Sequence, residues 1–428
     1  MKRSIAAATA LLVFLAGCSD GDSGDDSGPA TLTLAGWSLA TTPEFQTLAD
    51  GFRSVNPDVT VEVKEYDATN YDTQMIADLA AGKAPDIYVQ KNLKNFYTYQ
   101  NGKQLLDVSD VAGKLGGTVG GLQTYQVDGK TWAIPYRQDS WVLYYNKALF
   151  DKAGVAAPDG SWTWDDYAAT AKELTTKLKA AGSKALGAYQ HVWQSTAQGF
   201  ALAQTSGADL QSGDFGYLKP YYERSLDLQN AGAQVKFGDA TTNSLTYQAQ
   251  FGKQQAAMMV MGTWYMATLR SQQAKGDADK FEWGIAPAPQ QSAATAGRSA
   301  TPVTFADPTG LGVNPKIDEG KVEAAKQFLA YAAGPEGAKA LAAIAITPAD
   351  TAAVKESFFT VSGIPTDELS KFTFATHDTK PENPVSKYTA PLQNILNDLH
   401  SAVLSGSKPV DAAITEAQER AKNEVLSK

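Results

Sequence analysis

An α/β fold is predicted by three features of the chain. Short apolar runs alternate with amphipathic helical stretches, strand before helix before strand, which is the pattern of a mostly parallel sheet. The composition is that of a globular protein, 43% apolar and 19% charged, with glycine and proline at ordinary levels. At 428 residues the chain is long enough for two or three domains, and for a core that needs neither disulfides nor a structural metal.

The elements follow from periodicity and breakers. A first strand is read at 31–34. Residues 43–55 repeat at helical spacing through Phe45, Leu48, Ala49 and Phe52, and Asn56-Pro57-Asp58 ends the helix. A strand at 59–63, a helix at 73–81 closed by Gly82 and a strand at 86–89 complete the first α/β unit. The apolar runs 132–135 and 141–145 flank a polar stretch at 136–140; they form either a hairpin or one ribbon leaving one lobe and entering another. A helix at 165–179 carries Tyr167, Ala171, Leu174 and Leu178 on one face, with Thr163 as its N-cap and Asp165 and Asp166 in its first turn. Further helices are expected at 193–203, 220–230, 321–333, 389–403 and 410–426. Strands are expected at 256–261 and 283–286, a loop at 290–298, and extended stretches at 301–305 and 310–313.

The N-terminus has its own grammar. A basic start, an apolar run at 5–15 and the small residues Ala16-Gly17 precede Cys18, the only cysteine. That run is too short to span a bilayer and has the form of a signal peptide. Leu15-Ala16-Gly17-Cys18 resembles the bacterial lipobox, which implies cleavage after residue 17, diacylglycerol on the Cys18 sulfur and anchoring to the outer face of the cell membrane. Residues 18–29 are small, acidic and almost free of apolar side chains, as a disordered tether would be. Loss of Lys2 and Arg3 with the signal takes the net charge from −9 to −11. Such a surface argues against nucleic acid as a partner. No second apolar run is long enough to span a membrane.

Catalytic signatures are missing from the sequence. There is no phosphate loop, HExxH helix or nucleophile elbow, and His191, His377 and His400 stand at no metal-ligand spacing, so no metal and no cofactor are expected. Asp165 and Asp166 are adjacent on a helix and point apart, which suits a cap better than an acid–base pair. Tyr144-Tyr145 and Tyr221-Tyr222 suggest ferric iron, but neighbours in a strand face opposite sides. Aromatic residues do cluster at element ends: Trp37, Trp141, Trp193 and Trp264, with Gln90, Lys91, Gln138, Asp139, Tyr189 and His191 beside them. In open α/β sheets ligands bind beyond the carboxyl ends of strands. A sugar needs flat rings for its C–H faces and planar polar groups for its hydroxyls. Any one of these tryptophans serves equally well as core.

The ordered set AGKAPDIYV (81–89), LYYNKALFDKA (143–153) with Thr163-Trp164, GKQQAAMMVMGTW (252–264), GIAPAP (284–289), GLGVNP (310–315) and AAKQFLAYAAGPEGAKAL (324–341) resembles the family-1 extracellular solute-binding proteins of ABC importers, the maltose-binding group. The resemblance covers nearly the whole mature chain. It implies a type II periplasmic-binding-protein fold, two α/β lobes around a cleft that close by a hinge motion. It implies a first lobe of 30–136 plus 286–314 and a second of 137–285 plus 315–428, with crossings near 135–139, 283–289 and 313–316. Carried over by position, the ligand contacts are Trp37, Glu44, Gln90, Lys91, Asp139, Trp141, His191, Trp193, Trp264, Arg298, Asp307 and Tyr388. The implied function is capture of a carbohydrate, an oligosaccharide by preference, and its delivery to permease subunits served by a cytoplasmic ATPase. The protein is then a monomer, not an enzyme, and touches the membrane through its lipid alone. The competing readings are the same fold around a polyamine, peptide or ferric chelate, and a surface glycosidase or lyase.

Overall fold

The computed structural model describes residues 30–350, 352 and 357–428; the expected signal peptide, Cys18 and the tether lie outside them. In chain order the strands are β1 (Ala30–Trp37), β2 (Val59–Tyr66), β3 (Ile87–Gln90), the short pair β4 (Gln126–Val127) and β5 (Lys130–Thr131), β6 (Ile134–Arg137), β7 (Trp141–Asn146), β8 (Leu186–Tyr189), β9 (Ala256–Gly262), β10 (Trp283–Pro287), β11 (Val303–Phe305), β12 (Thr309–Val313) and β13 (Asp378–Lys380). One sheet has the order β2-β1-β3-β12-β6 and a second the order β10-β7-β9-β8. Strands β7 and β9 are buried along their whole length, which explains why they read as unbroken apolar runs rather than alternating ones. The runs at 132–135 and 141–145 are not a hairpin: β6 closes one sheet and β7 enters the other.

Local chemistry sets the helices. The helix Tyr71–Ala81 stops at Gly82, whose φ of 67° is left-handed, a conformation that costs glycine nothing. The helix Trp164–Ala180 starts with a capping box in which Thr163 and Asp166 bond each other's backbone N–H. This fixes Asp166 as a structural carboxylate. The tyrosine pairs are core. Tyr144 lies against Trp283 and Tyr265, and Tyr221 and Tyr222 are fully buried, bonded to Gln204 and His400.

The lobes divide the chain differently from the sequence expectation. β10 pairs with β7, and Phe305 of β11 stacks on Trp141 at 5.1 Å, so residues 286–305 belong with the second sheet. The second crossing is at 306–308, just before β12 enters the first sheet. The helices Val322–Ala333 and Pro335–Ala343 pack on the first sheet, not the second. Phe328 meets Phe52 at 5.3 Å and Tyr331 meets it at 5.6 Å, burying the apolar face of the helix Glu44–Val55. Residues 313–316 stay in the first lobe, where Asn314 N–H donates to Asp86 O at 2.8 Å. The chain leaves that lobe for the last time beyond Ile346. There Gln138 N–H donates to Thr347 O at 3.1 Å and Ala349 N–H to Tyr136 O at 2.9 Å, so the last crossing lies beside the first.

His400, on the helix Thr389–Leu404, ties the second lobe together. Its Nε2 donates to Val192 O at 3.1 Å, its Nδ1 lies 3.1 Å from the Tyr222 hydroxyl, and it is 1% exposed. Burial pushes its pKa down to about 4. Held neutral in the fold but protonated near pH ~6.5 when unfolded, it contributes stability that is present above ~6.5 and lost as pH falls toward ~4, about 3 kcal/mol in all. His400→Gln is expected to melt lower than wild type at neutral pH but to lose less on acidification. Melting curves across that range check this, and parallel slopes would acquit His400.

Candidate ligand-binding site

Topology brings the carboxyl edges of both sheets to one place. β1, β2 and β3 are parallel, and β12 runs antiparallel to both β3 and β6. β6 therefore runs with β3 and ends at Arg137 on the same edge as Trp37 and Gln90. β7 is antiparallel to β9, with Trp141 opposite Gly262, and β8 runs parallel to β9. The second sheet thus presents Trp141, the end of β8 and the end of β9 on one edge. Residues 138–140 join the two edges, and α/β sheets bind ligands beyond such carboxyl ends.

A buried ion cluster occupies the crossing. Arg137 Nη1 donates to Glu44 Oε1 and Oε2 at 2.8 and 2.6 Å, and its Nε lies 3.0 Å from Asp139 Oδ2. Tyr136 donates to Glu44 at 2.6 Å and Thr263 to Asp139 at 2.7 Å. Thr309 on β12 and Thr347 on the last crossing touch the ends of the network at 3.4 Å each. Burial works against the Arg137 charge, but Glu44 and Asp139 outweigh it and its pKa is raised. Burial raises Asp139, and Arg137 and Thr263 oppose that rise. Glu44 and Asp139 were expected to bond the solute. Both are at most 5% exposed and paired with Arg137, so neither is a free acceptor. Arg137 itself escaped the sequence reading, although an arginine between two apolar runs, two residues from an aspartate, is the signature of such a pair.

Aromatic rings line the second lobe's edge. Gly262 ends β9, and a Cβ there would stand 1.9 Å from the Trp264 ring, so the glycine is what lets this indole fold back over the strand. Trp264 meets Trp141 edge-on at 5.5 Å and Trp193 at 6.5 Å. His191 and Tyr247 complete the group, each within 5.6 Å of Trp193. Trp141 is the floor, 4% exposed and stacked on Phe305, whereas Trp193 is 38% exposed. Tyr247 bonds Trp264, and its pKa is pushed up to about 12, chiefly by burial; the sequence offered no sign of its place here.

On the first lobe, Lys91 Nζ sits 5.4 Å over the Trp37 ring and donates to Ala68 O at 2.5 Å. Burial pushes Lys91 down and the Asp72 charge pulls it back up. Thr42 lies 3.4 Å from Thr268, and Lys275 donates to Ala40 O, so the loop after Trp37 touches the helix Tyr265–Lys275 that follows Trp264. Other expected contacts stand elsewhere. Gln90 is 1% exposed, beside Leu105 and Gly312, with both amide atoms unbonded. Asp307 accepts from Leu93 N–H, Glu382 N–H and both the backbone and side chain of Asn383. It is a staple between the lobes rather than a ligand group. Arg298 is exposed over Phe372 at 5.9 Å, and Tyr388 carries Lys387 over its ring at 4.8 Å; neither joins the aromatic group.

A family model for bacterial extracellular solute-binding proteins matches residues 36–339, most of the chain. The chain belongs to that family. A sugar transporter from Rhizobium etli, solved in an open conformation, is 30% identical, with a TM-score of 0.73 over 92% of this chain and 99% of that one. The GacH receptor of Streptomyces glaucescens, solved unliganded and with acarbose, is 20% identical with a TM-score of 0.71 over 92% and 98%, a likeness of fold. The sn-glycerol-3-phosphate-binding periplasmic protein UgpB of Escherichia coli is 32% identical over 163 residues, 35% of each chain. The chain spans little more than a third of the length of the curated relatives it matches. The two sheets are accordingly the two lobes of this family's fold.

Removing one member of a buried ion cluster strands the others, at a cost of about 3–5 kcal/mol. Arg137→Met is expected to lose that much in urea denaturation. A loss below ~1 kcal/mol would show that the carboxylates are hydrated rather than sealed.

Proposed function

We propose that this protein captures a carbohydrate between its lobes outside the cell and hands it to the permease of an ABC importer, whose ATPase is cytoplasmic. The observation that carries the reading is the ring group at the carboxyl edge of the second sheet, with Trp193 open to solvent and Trp264 partly so. Indole faces suit the C–H faces of a sugar. Trp37 offers a further ring from the first lobe, and a solute touching both lobes favours the closed state. The ion cluster supports a receptor over a glycosidase: the two carboxylates nearest the crossing share one arginine, where hydrolysis needs a free acid and a free base. Lys91 gives a second reading some weight, since a cation beside the cleft suits an anionic solute. A monomer held to the membrane by lipid on Cys18 completes the proposal.

The deciding experiment is a titration with maltotriose, cellobiose, D-mannitol, α-D-tagatose and sn-glycerol 3-phosphate, followed by tryptophan fluorescence and melting temperature. A saturable shift with a neutral saccharide or polyol, accompanied by a higher melting point, is expected; a response to the phosphate ester alone would favour the anionic reading. Trp264→Ala is expected to weaken binding about tenfold or more, as loss of an aromatic hot spot does; unchanged affinity would take Trp264 out of the site. Cys18→Ser is expected to move the protein from the membrane fraction to the soluble one, and continued sedimentation with membranes would refute lipidation at that sulfur.

A further inference from the structure

His191 stands where the proposed sugar site meets the core, 7% exposed, with its ring edge-on to Trp193 at 4.5 Å and to Tyr247 at 5.3 Å. Its hydrogen bonding fixes where its proton sits. Nδ1 lies 3.0 Å from the Tyr189 hydroxyl, and that hydroxyl donates to Leu245 O at 3.1 Å. A phenol has one proton and a carbonyl has none. With the Tyr189 proton on Leu245 O, the Tyr189 oxygen can only accept from the imidazole, so Nδ1 carries the hydrogen. Burial pushes the His191 pKa down to about 4, so the ring is neutral at ordinary pH and its Nε2 is a bare lone pair. Among the described residues nothing bonds that Nε2, and it is not sealed from solvent.

We infer that His191 is a specificity-determining residue of the site: its Nε2 accepts a hydrogen bond from a hydroxyl of the bound solute, beside the ring group of Trp193, Tyr247 and Trp264. The inference rests on the carbohydrate reading above. A lone pair rewards a group that can donate, such as a saccharide or polyol hydroxyl. It gives nothing to a carboxylate or phosphate oxygen, which brings only lone pairs of its own. The residue therefore favours the neutral polyhydroxyl end of the panel, against the pull of Lys91 toward anions.

The other histidines supply the control. His400 has the opposite arrangement: Val192 O can only accept, so the hydrogen sits on Nε2, and Nδ1 accepts from the Tyr222 hydroxyl. With three histidines in the chain, selective 15N-histidine labelling yields few enough signals to assign by the loss of one in each variant.

The first measurement is the tautomer of His191 in the solute-free protein, read from long-range 1H–15N correlations. The expected result is an Nδ1-protonated ring with a pyridine-like Nε2, opposite to His400; an Nε2-protonated His191 overturns the inference whatever the solute proves to be. The second is the same spectrum at saturation with whichever of maltotriose, cellobiose, D-mannitol or α-D-tagatose binds. The His191 Nε2 signal should shift while those of His377 and His400 stay in place, and an unmoved Nε2 overturns the inference. His191→Asn keeps a donor for Tyr189 but has no acceptor at the Nε2 position, and it should bind roughly three- to tenfold more weakly, the span of one lost neutral hydrogen bond. His191→Gln, which can present a carbonyl there, should recover most of that loss; Asn binding as tightly as wild type overturns the acceptor role. Silence from every saccharide and polyol with the Nδ1–H tautomer in place overturns the carbohydrate reading and the acceptor role with it, a result distinct from the wrong tautomer.

Discussion

One guanidinium holds the crossing together. Arg137 closes β6, reaches back to Glu44 at the start of the first lobe's first helix and forward to Asp139 on the way to β7. Two buried carboxylates share this one cation, and the hydroxyls of Tyr136 and Thr263 donate to them. The partners come from the first crossing, from the segment after β9 and, through Thr309 and Thr347, from β12 and the last crossing. In low dielectric a half-made network is worse than none. Pulling the lobes apart at this point would break it.

The same electrostatics separate the work of the two halves of the site. Charge gathers at the crossing, while the proposed recognition falls to rings and to neutral hydrogen-bonding groups. Gly262 makes room for Trp264, Phe305 supports Trp141 from below, and Trp193 keeps one face free. An apolar wall of this kind is rigid and cheap to desolvate. A carboxylate in the same place would have had to shed its water, or keep its arginine, before meeting a solute.

Much of the fold was legible because period and punctuation agreed. The helix Trp164–Ala180 announced itself through its apolar face and its capping threonine, and the first α/β unit through Pro57, Gly82 and Pro85. Short helices such as Tyr247–Gly252 and Lys147–Ala153 span too few turns for a period to register. The division into lobes failed for a different reason. Phe328 and Leu329 make an apolar stripe that fits either sheet, and only the position of Phe52, far away in sequence, decides which. At the site, position after a strand picked out Trp141, His191, Trp193 and Trp264, whose rings the structure brings together. It could not tell a floor from an open face, nor see that Glu44 and Asp139 already had a cation between them. Gln90 illustrates the remaining ambiguity: it ends a strand at the cleft edge, yet its side chain falls on the buried face of the pleat.

The threefold passage between lobes has a consequence for how the protein comes into being. β6 finds its place in the first sheet only through β12, and Arg137 is 172 residues from its partner Thr309. Until that distant segment arrives, β3 and β6 expose unpaired backbone, and the helices that cover Phe52 have yet to be made. Contacts of such long sequence separation form late and slowly. A chain built this way presents incomplete sheet edges for most of its synthesis, and neither lobe exists as a contiguous piece that could be cut free and asked to fold alone.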